Sequence, residues 1–440
     1  MKRLIITSFV LLAPAFAFAQ HAPWSLADCI SHALENNLTV KQSSLTVEQR
    51  EVDLNTAQMS RLPNLSASAN ENLSFGRGLS EDNTYTKSNT TNTSFSLGTD
   101  VPLFQGFQIN NNVKMGKLNL AAATADLEKA RDDIRVKVAQ AYVQILYNQE
   151  ILRVAKEQTA HDAELLEQMR ERLNAGKISA YEVSAQQATL AQSRQSEIQA
   201  EGNLKISLLD LSQLLELPSP EGFGIVTPDV DNPAETLLMN PEAIYDEAVD
   251  KRAVVDAAKL KLDYAKVNID KAKGAFLPTL SLSGGLGSNF YTNSKSAYTV
   301  PFGDQMKNNF SQYVALSLRV PIFQRFSARN QVRLAEINYR NQEIQLENTK
   351  KSLYKEIQQA YYNAVNSQAR FTGSSESASS ALEHYQMTEE KYKVGKAGIA
   401  DYNDARNSWL KAESEHIQAR YQCLYQTKLL DFYRIGEIDF

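Results

Sequence analysis

The chain has 440 residues, with 46 basic against 51 acidic side chains and a formal net charge of −5. That balance implies no basic face of the size nucleic-acid binding needs, and two cysteines build neither a disulfide framework nor a four-cysteine zinc site. A mean hydropathy of −0.39 excludes a polytopic helical membrane protein; it leaves a β-barrel open, because barrel strands alternate polar and apolar residues.

At the N-terminus, Lys2 and Arg3 precede an apolar run from Leu4 to Phe18, closed by Ala17-Phe18-Ala19 before Gln20. This is a signal-peptide pattern over 1–19. The run is shorter than the ~17 residues that span a bilayer. No cysteine stands at the cleavage point, so a lipoprotein anchor is not expected, and the mature chain is read as exported.

Beyond the leader the chain repeats itself once. Leu62-Pro63-Asn64-Leu65-Ser66 returns as Leu277-Pro278-Thr279-Leu280-Ser281, and Val101-Pro102-Leu103-Phe104-Gln105 as Val320-Pro321-Ile322-Phe323-Gln324. Gln140-Ala141-Tyr142 returns at Gln359-Ala360-Tyr361, and Gly176-Lys177 at Gly395-Lys396; the last three pairs share an offset of 219 residues. A first structural repeat is therefore placed at 20–217 and a second at 238–440. The linker 218–237 is too proline-rich for a long helix.

In the first repeat, Ser25 stands as a helix N-cap, and helical periodicity runs to about Met59. Past Pro63 the period changes to two: Leu65, Ala67, Ala69, Glu71, Leu73 and Phe75 alternate with Asn64, Ser66, Ser68, Asn70, Asn72 and Ser74. Strands are expected at 64–75 and 93–101, and in the second repeat at 279–290 and 311–320. Their length and alternation suit a membrane barrel, with small polar side chains toward a wet lumen. The segments 76–92 and 291–309 read as long polar extracellular loops. Four strands cannot close a barrel and lipid tolerates no open edge, so the chain must oligomerise. Three copies would give twelve strands.

Each strand pair is followed by a long helix, at 109–174 and 325–394, and a returning one, at 180–215 and 401–435. Ile134, Val138, Ala141, Ile145, Leu152, Ala155, Thr159, Asp162, Leu166, Met169 and Leu173 step by threes, fours and sevens, which is coiled-coil spacing with polar interruptions. Chemistry is hard to find. The histidines 21, 32, 161, 384 and 416 offer no metal-binding pair, and Gly176-Lys177 lacks the rest of a phosphate loop. Neither an enzyme nor a cofactor is expected. Cys29 and Cys423 are expected as buried thiols, with a bridge between them as the alternative.

The duplicated strand pairs and helical hairpins resemble the TolC family of outer-membrane efflux proteins. The resemblance rests on Trp24-Ser25-Leu26, Ala33-Leu34-Glu35-Asn36-Asn37, the Leu-Pro strand starts, the Val-Pro-Leu/Ile-Phe turns, and Val394-Gly395-Lys396 followed by Ile399-Ala400-Asp401. It implies an α+β membrane protein. The fold would be a homotrimer with a 12-stranded β-barrel in outer-membrane lipid, continuous with a periplasmic α-helical barrel. It implies a passive exit duct of a tripartite efflux pump, docked to a periplasmic adaptor (membrane fusion) protein and driven by an inner-membrane transporter of the resistance-nodulation-division (RND) or ABC class. The alternatives are a type I protein secretion channel and, from another class, a structural or adhesive surface coiled coil.

The resemblance also points to sites. Asp401 and Asp404 match the two acids that ring the periplasmic entrance in the family, with Glu182 at the position of Asp401 in the first repeat and Ala185 at that of Asp404. Arg172, Leu173, Gly176 and Lys177, with Tyr392, Val394, Gly395 and Lys396, match the adaptor-docking hairpin tips. Taken alone, the acids also suit a helix start and the glycines a helix stop.

Overall fold

The computed structural model describes residues 23–79, 83–228, 237–294, 296 and 298–438. The signal-peptide segment 1–19 and residues 229–236 of the proline-rich linker lie outside the described residues. In order, the elements are α1 (Leu26–Asn36), α2 (Leu38–Met59), β1 (Ser66–Leu79), β2 (Tyr85–Gln105), α3 (Gln108–Asn174), α4 (Ala180–Leu214), α5 (Pro241–Ala248), α6 (Ala253–Lys273), β3 (Thr279–Asn293), α7 (Phe302–Asn308), β4 (Ser311–Arg319), α8 (Ser327–Lys393) and α9 (Ile399–Ile435). Helices α3 and α8 are each 67 residues long, about 100 Å at 1.5 Å per residue. No proline falls between Pro102 and Pro218 or after Pro321, so nothing in either run removes a helical N–H. Both helices, and the starts of α4 and α9, stand 219 residues apart, the spacing of the motif repeat. Among the described residues no helix is long and apolar enough to cross a membrane.

The chain falls into two compact units. One takes the described residues up to 40, with 131–244 and those from 357 on; the other takes 41–130 and 245–356.

The second unit holds one antiparallel sheet in the order β1-β2-β3-β4. Every strand continues into a helix: α2 leads into β1, β2 into α3, α6 into β3 and β4 into α8. The helices keep the strand order. Leu54 of α2 packs on Gly116 of α3, Lys261 of α6 pairs with Asp126 of α3 at 2.9 Å, and α6 and α8 share a groove lined by Asn268, Lys271, Gln331 and Ala335. The Val-Pro-x-Phe motifs make the strand-to-helix joints. After each, two consecutive residues take positive φ, Gly106 with Phe107 and Arg325 with Phe326, and the phenylalanines meet edge-on, Phe104 with Phe107 at 5.2 Å and Phe323 with Phe326 at 5.9 Å. Gly106 and Gly274 touch across the joint; a Cβ on either would sit 2.3 Å from the carbonyl oxygen of the other.

Two expectations are corrected here. The segment 76–92 is not a loop: β1 and β2 stay paired from Ser66↔Gly98 out to Leu79↔Tyr85. Threonines at 84, 86, 90, 91 and 93 favour extended backbone, so polarity there marks a solvated ladder and not irregular chain. The segment 291–309 also carries structure, with β3 reaching Asn293 and α7 formed within it.

The first unit is helical. Ser25 and Asp28 cap α1 reciprocally, with the Ser25 N–H donating to Asp28 at 3.0 Å. Of the predicted seam of α3, Ile134, Val138, Ile145, Leu152, Ala155, Asp162, Leu166 and Met169 are buried, while Ala141, Thr159 and Leu173 are half-buried; Tyr142 and Leu146 are buried beside it, as are Ile357, Ala360 and Ala364 of α8. Cys29 and Cys423 are thiols with no exposed surface, and burial, aided by Asp28, pushes the Cys29 thiol up to about 12.

Candidate functional site: the sheet faces and the hairpin ends

The strand register sorts the sheet into two chemically distinct faces. On one, rows read Leu97-Leu286, Val101-Leu282-Leu316 and Phe104-Leu280-Leu318 across neighbouring strands, with Phe95 and Val314 between and above. Val314 is 81 % and Leu316 66 % exposed, while Val101, Phe104 and Leu280 are half-buried, and the band covers ten residues on β2, Phe95 to Phe104, the length that spans a bilayer as tilted β-structure. The opposite face carries Ser68-Ser96-Gly287-Ser311, Asn70-Ser94-Asn289 and Asp100-Ser283-Ala315. Here Ser68 and Ser96 hydroxyls hydrogen-bond at 2.7 Å. One face suits lipid and the other water, which a soluble half-buried sheet with a single packed face does not need. Beyond the band Glu71 accepts a hydrogen bond from Thr93, in the polar part of the β1–β2 ladder.

At the far end of α3 and α8 the chain turns twice in the same way. Gly176 and Gly395 adopt φ of +69° and +74°. The Lys177 N–H donates to the Arg172 carbonyl at 2.9 Å and the Lys396 N–H to the Lys391 carbonyl at 2.7 Å, the long bond of a Schellman cap. Nothing lies within 4 Å of a Cβ built on either glycine, so the backbone sign alone demands glycine. Arg172, Gly176, Lys177, Val394, Gly395 and Lys396 are exposed, and Leu173 and Tyr392 half-buried.

The returning helices start on acids. Glu182 accepts from the Ser179 hydroxyl at 3.0 Å in a complete capping box. Asp401 accepts from the Gly398 N–H at 3.1 Å, and here the cap residue is glycine with no side chain to reciprocate. Asp401 and Asp404 are exposed and Glu182 half-buried. Asp401 thus has a capping task besides any other, whereas no capping bond engages Asp404.

Behind these acids lies a buried polar cluster that sequence patterns did not single out. Asp162 of α3 is fully buried and pairs with Arg406 of α9, itself 3 % exposed. Its carboxylate also accepts from the Ser193 hydroxyl and from Gln186 Nε2 at 3.2 Å, both on α4. Arg406 donates further to the Gln158 carbonyl at 3.3 Å. Next to it, His161 Nε2 and the Tyr402 hydroxyl are 2.7 Å apart, and the Tyr402 and Tyr385 hydroxyls 3.1 Å. Tyr385 stacks on Trp409 and Tyr392 on Tyr402, and the Arg172 guanidinium lies over the Tyr392 ring, 6.0 Å from its centre. Burial pushes the Tyr402 phenol up, reinforced by its bond to Tyr385. Burial, and then the Arg406 charge, holds His161 below its ordinary value. The only sequence signal was Asp162 interrupting the apolar seam. Its partners sit on other helices at separations no local pattern reports.

The outer membrane efflux protein family matches this chain over residues 29–216 and 244–432. Outer membrane protein TolC of Escherichia coli (strain K12) is 25% identical over 354 residues, 74% of this chain and 71% of that one. Proteases secretion protein PrtF of Dickeya chrysanthemi is 21% identical over 433 residues, 96% of this chain and 90% of that one. Among solved structures, the outer membrane protein VceC from Vibrio cholerae superposes with a TM-score of 0.74 at 18% identity, covering 94% of this chain and 97% of that one. With the apolar and polar sheet faces, the duplicated hairpins and a family match across both repeats, the chain belongs to the outer membrane efflux protein family and is an outer-membrane efflux channel.

Proposed function

We propose that three copies of this chain close one twelve-stranded barrel whose polar faces line a continuous exit duct, and that cargo passes through it without chemistry on this chain. The observation that carries the reading is the sheet: one apolar face, one polar face and two open edges, β1 and β4. An open edge in hydrocarbon leaves backbone N–H and C=O groups without partners, at several kcal/mol each. Four strands are too few to close on themselves, and an open lumen needs more than the eight strands that two copies supply.

In this reading the two Schellman-capped tips, with Arg172, Leu173, Gly176, Lys177, Tyr392, Val394, Gly395 and Lys396, form the surface that meets a periplasmic adaptor, and an inner-membrane transporter of RND or ABC class supplies the energy. Asp401 and Asp404, with Glu182 in a lesser part, form an acidic ring at the duct entrance. A ring of carboxylates attracts and holds cations, so the duct is cation-selective and blocked by multivalent cations from the periplasmic side. The likeness to PrtF favours a second reading of the cargo, proteins passed by an ABC transporter.

Single-channel conductance in a planar bilayer tests the ring. A trivalent cation added to the periplasmic side is expected to block wild type. Asp401→Asn with Asp404→Asn should weaken both the block and the cation selectivity; asparagine keeps an oxygen for the Gly398 N–H, so the cap survives. Glu182→Gln alone should do less. Block of the double variant at the wild-type concentration would return both residues to ordinary helix-start acids.

A further inference from the structure

Around the joints of sheet to helix the chain changes its charge. It carries more acids than bases overall, yet no acid stands between Asp53 and Glu71, between Asp100 and Asp126, between Asp270 and Asp304, or between Asp304 and Glu336. All four joints fall inside these gaps, and the cations in the gaps include Arg61, Lys114, Lys117 and Lys273. Under the first Val-Pro-x-Phe joint those four line one open cleft of about 730 Å³, a volume usual for a ligand site. Asn110, Lys114 and Lys117 step along one side of α3 by four and three. Arg61 reaches in from the turn between α2 and β1 and donates to Asn110 at 2.9 Å. Opposite them stands the end of α6, brought close by the contact of Gly106 with Gly274.

The cleft sits where the apolar face of the sheet ends. Phe107 lines it and packs edge-on against Phe104, a member of the row Phe104-Leu280-Leu318. Phe107 is 56 % exposed, and Leu277 in the same cleft is exposed as well. From sheet to helices the surface therefore runs from apolar side chains to cations, the order in which a leaflet presents acyl chains and phosphates. The helices leave the sheet on the periplasmic side, so the leaflet concerned is the one that faces the periplasm. The second joint has the same order with other residues. Phe323 and Phe326 stand where the first has Phe104 and Phe107, and Arg329 and Arg333 where it has Asn110 and Lys114.

We propose that this cleft binds the headgroup of an anionic glycerophospholipid of the periplasmic leaflet, with the phosphodiester among Arg61, Lys114 and Lys117 and the first acyl carbons against Phe107 and Leu277. Among the described residues no acid pairs with any of those three cations, and the carboxylate that lines the cleft, Asp270, lies 3.8 Å from Lys273. Uncompensated cations beside lipid attract anionic headgroups. A zwitterionic headgroup suits the cleft poorly, because its ammonium would join them. Asn111 is a separate sign of a ligand. It lines the cleft at 7 % exposure, and no described residue hydrogen-bonds to its side-chain amide. A buried amide left without a partner is costly, and the hydroxyls of a glycerol headgroup offer it both a donor and an acceptor.

Native mass spectrometry of the full-length channel in detergent, titrated with phosphatidylglycerol, tests the site. Every residue named lies in one protomer, so one tightly held lipid per chain is expected whatever number of copies assemble. Arg61→Gln with Lys114→Gln and Lys117→Gln should weaken that binding by about fivefold for each cation removed. Lys114→Arg with Lys117→Arg should keep it. Lys205→Gln with Lys351→Gln, which removes two exposed cations away from the joint, should leave it unchanged. Should the triple variant fail to assemble, Lys114→Gln with Lys117→Gln carries the test, both side chains being exposed. Phosphatidylethanolamine should bind more weakly than phosphatidylglycerol, and inorganic phosphate should not displace the lipid. Equal binding of the two lipids, or of phosphatidylglycerol to wild type and the glutamine variants, would overturn the site. Displacement by inorganic phosphate, with phosphate retained on its own, would overturn the lipid and assign the cleft to a soluble anion.

Discussion

Arg406 and Asp162 show how much one residue pair can hold. Each is more than nine-tenths buried, and the carboxylate has three donors on two helices, Arg406 on α9 and Ser193 with Gln186 on α4. Removing one partner of such a pair leaves a charge stranded without water. Arg406→Leu is therefore expected to destabilise the helical unit by about 3–5 kcal/mol, read as a lower apparent melting temperature by circular dichroism. Asp162→Leu with Arg406→Leu should recover a large part of the loss, because replacing both charges by apolar groups of similar volume is often neutral. A double variant no better than the single one would show that the pair is not a closed unit. His161 adds a pH dependence. Its folded-state pKa lies below the ordinary 6.5, so on acidification the unfolded chain binds the proton first, and stability falls as pH drops below about 6.5 toward the folded value. The melting temperature is expected to fall between about pH 7.5 and about pH 5, and to fall less in His161→Gln, which keeps a donor for Tyr402 but cannot take the charge. Equal losses in both proteins would assign the acid sensitivity elsewhere. None of this was legible beforehand. Asp162 was visible as a polar step in an apolar seam, but Arg406 and Ser193 fall on other helices, and a charge on a helix reads as solvated until a neighbour is known to cover it.

Among the elements, the tips isolate backbone sign from packing. Gly176 and Gly395 have positive φ and open space around a Cβ, so a substitution there meets strain and nothing else. Gly176→Val or Gly395→Val should cost about 1–2 kcal/mol of local strain and reshape the turn with little effect on the rest of the fold. Export is expected to drop with channel abundance in the membrane unchanged, as scored by drug susceptibility beside an immunoblot. Undiminished export in both variants would remove the tips from adaptor docking. Helix ends were the most readable features, since glycine, lysine and the absence of proline act locally: the reading 109–174 meets Gln108–Asn174. Strand ends were less so. Residues 76–92 are as polar as a loop, and only pairing with a second polar strand, which alternation in one segment does not reveal, keeps them extended.

For the whole molecule, the division of labour between faces and edges was partly written in the sequence. The alternation of Leu280, Leu282 and Leu286 with Ser281 and Ser283 already separated an apolar from a polar face. What alternation does not report is strand order. The sheet runs in simple chain order, so the edges are the first and last strands. Each repeat then contributes one edge and one inner strand, although the repeats are related by sequence. Within the protomer the duplicated motifs are not equally loaded: β2 pairs on both sides from Thr90 to Gly98, while β4, its counterpart, has nine residues and one neighbour. A duplicated gene thus yields two strand pairs that each supply one inner strand, paired within the protomer on both sides, and one outer strand, whose free edge within the protomer is left for a neighbouring copy.

The contact between Gly106 and Gly274 sets a different limit, on how this chain can change over generations. Each α-carbon lies against the other's backbone carbonyl, with 2.3 Å left for any methyl group on either side. Most packing defects have a remedy in the neighbour: a larger side chain here is accommodated by a smaller one there. At this joint the neighbour is already the smallest residue available, and the obstructing atom belongs to the main chain, which no substitution removes. The two positions therefore cannot drift in a compensating pair. Each is closed to exchange for as long as the strand-to-helix joint keeps its present path, and a lineage that loses one glycine has to rebuild the joint.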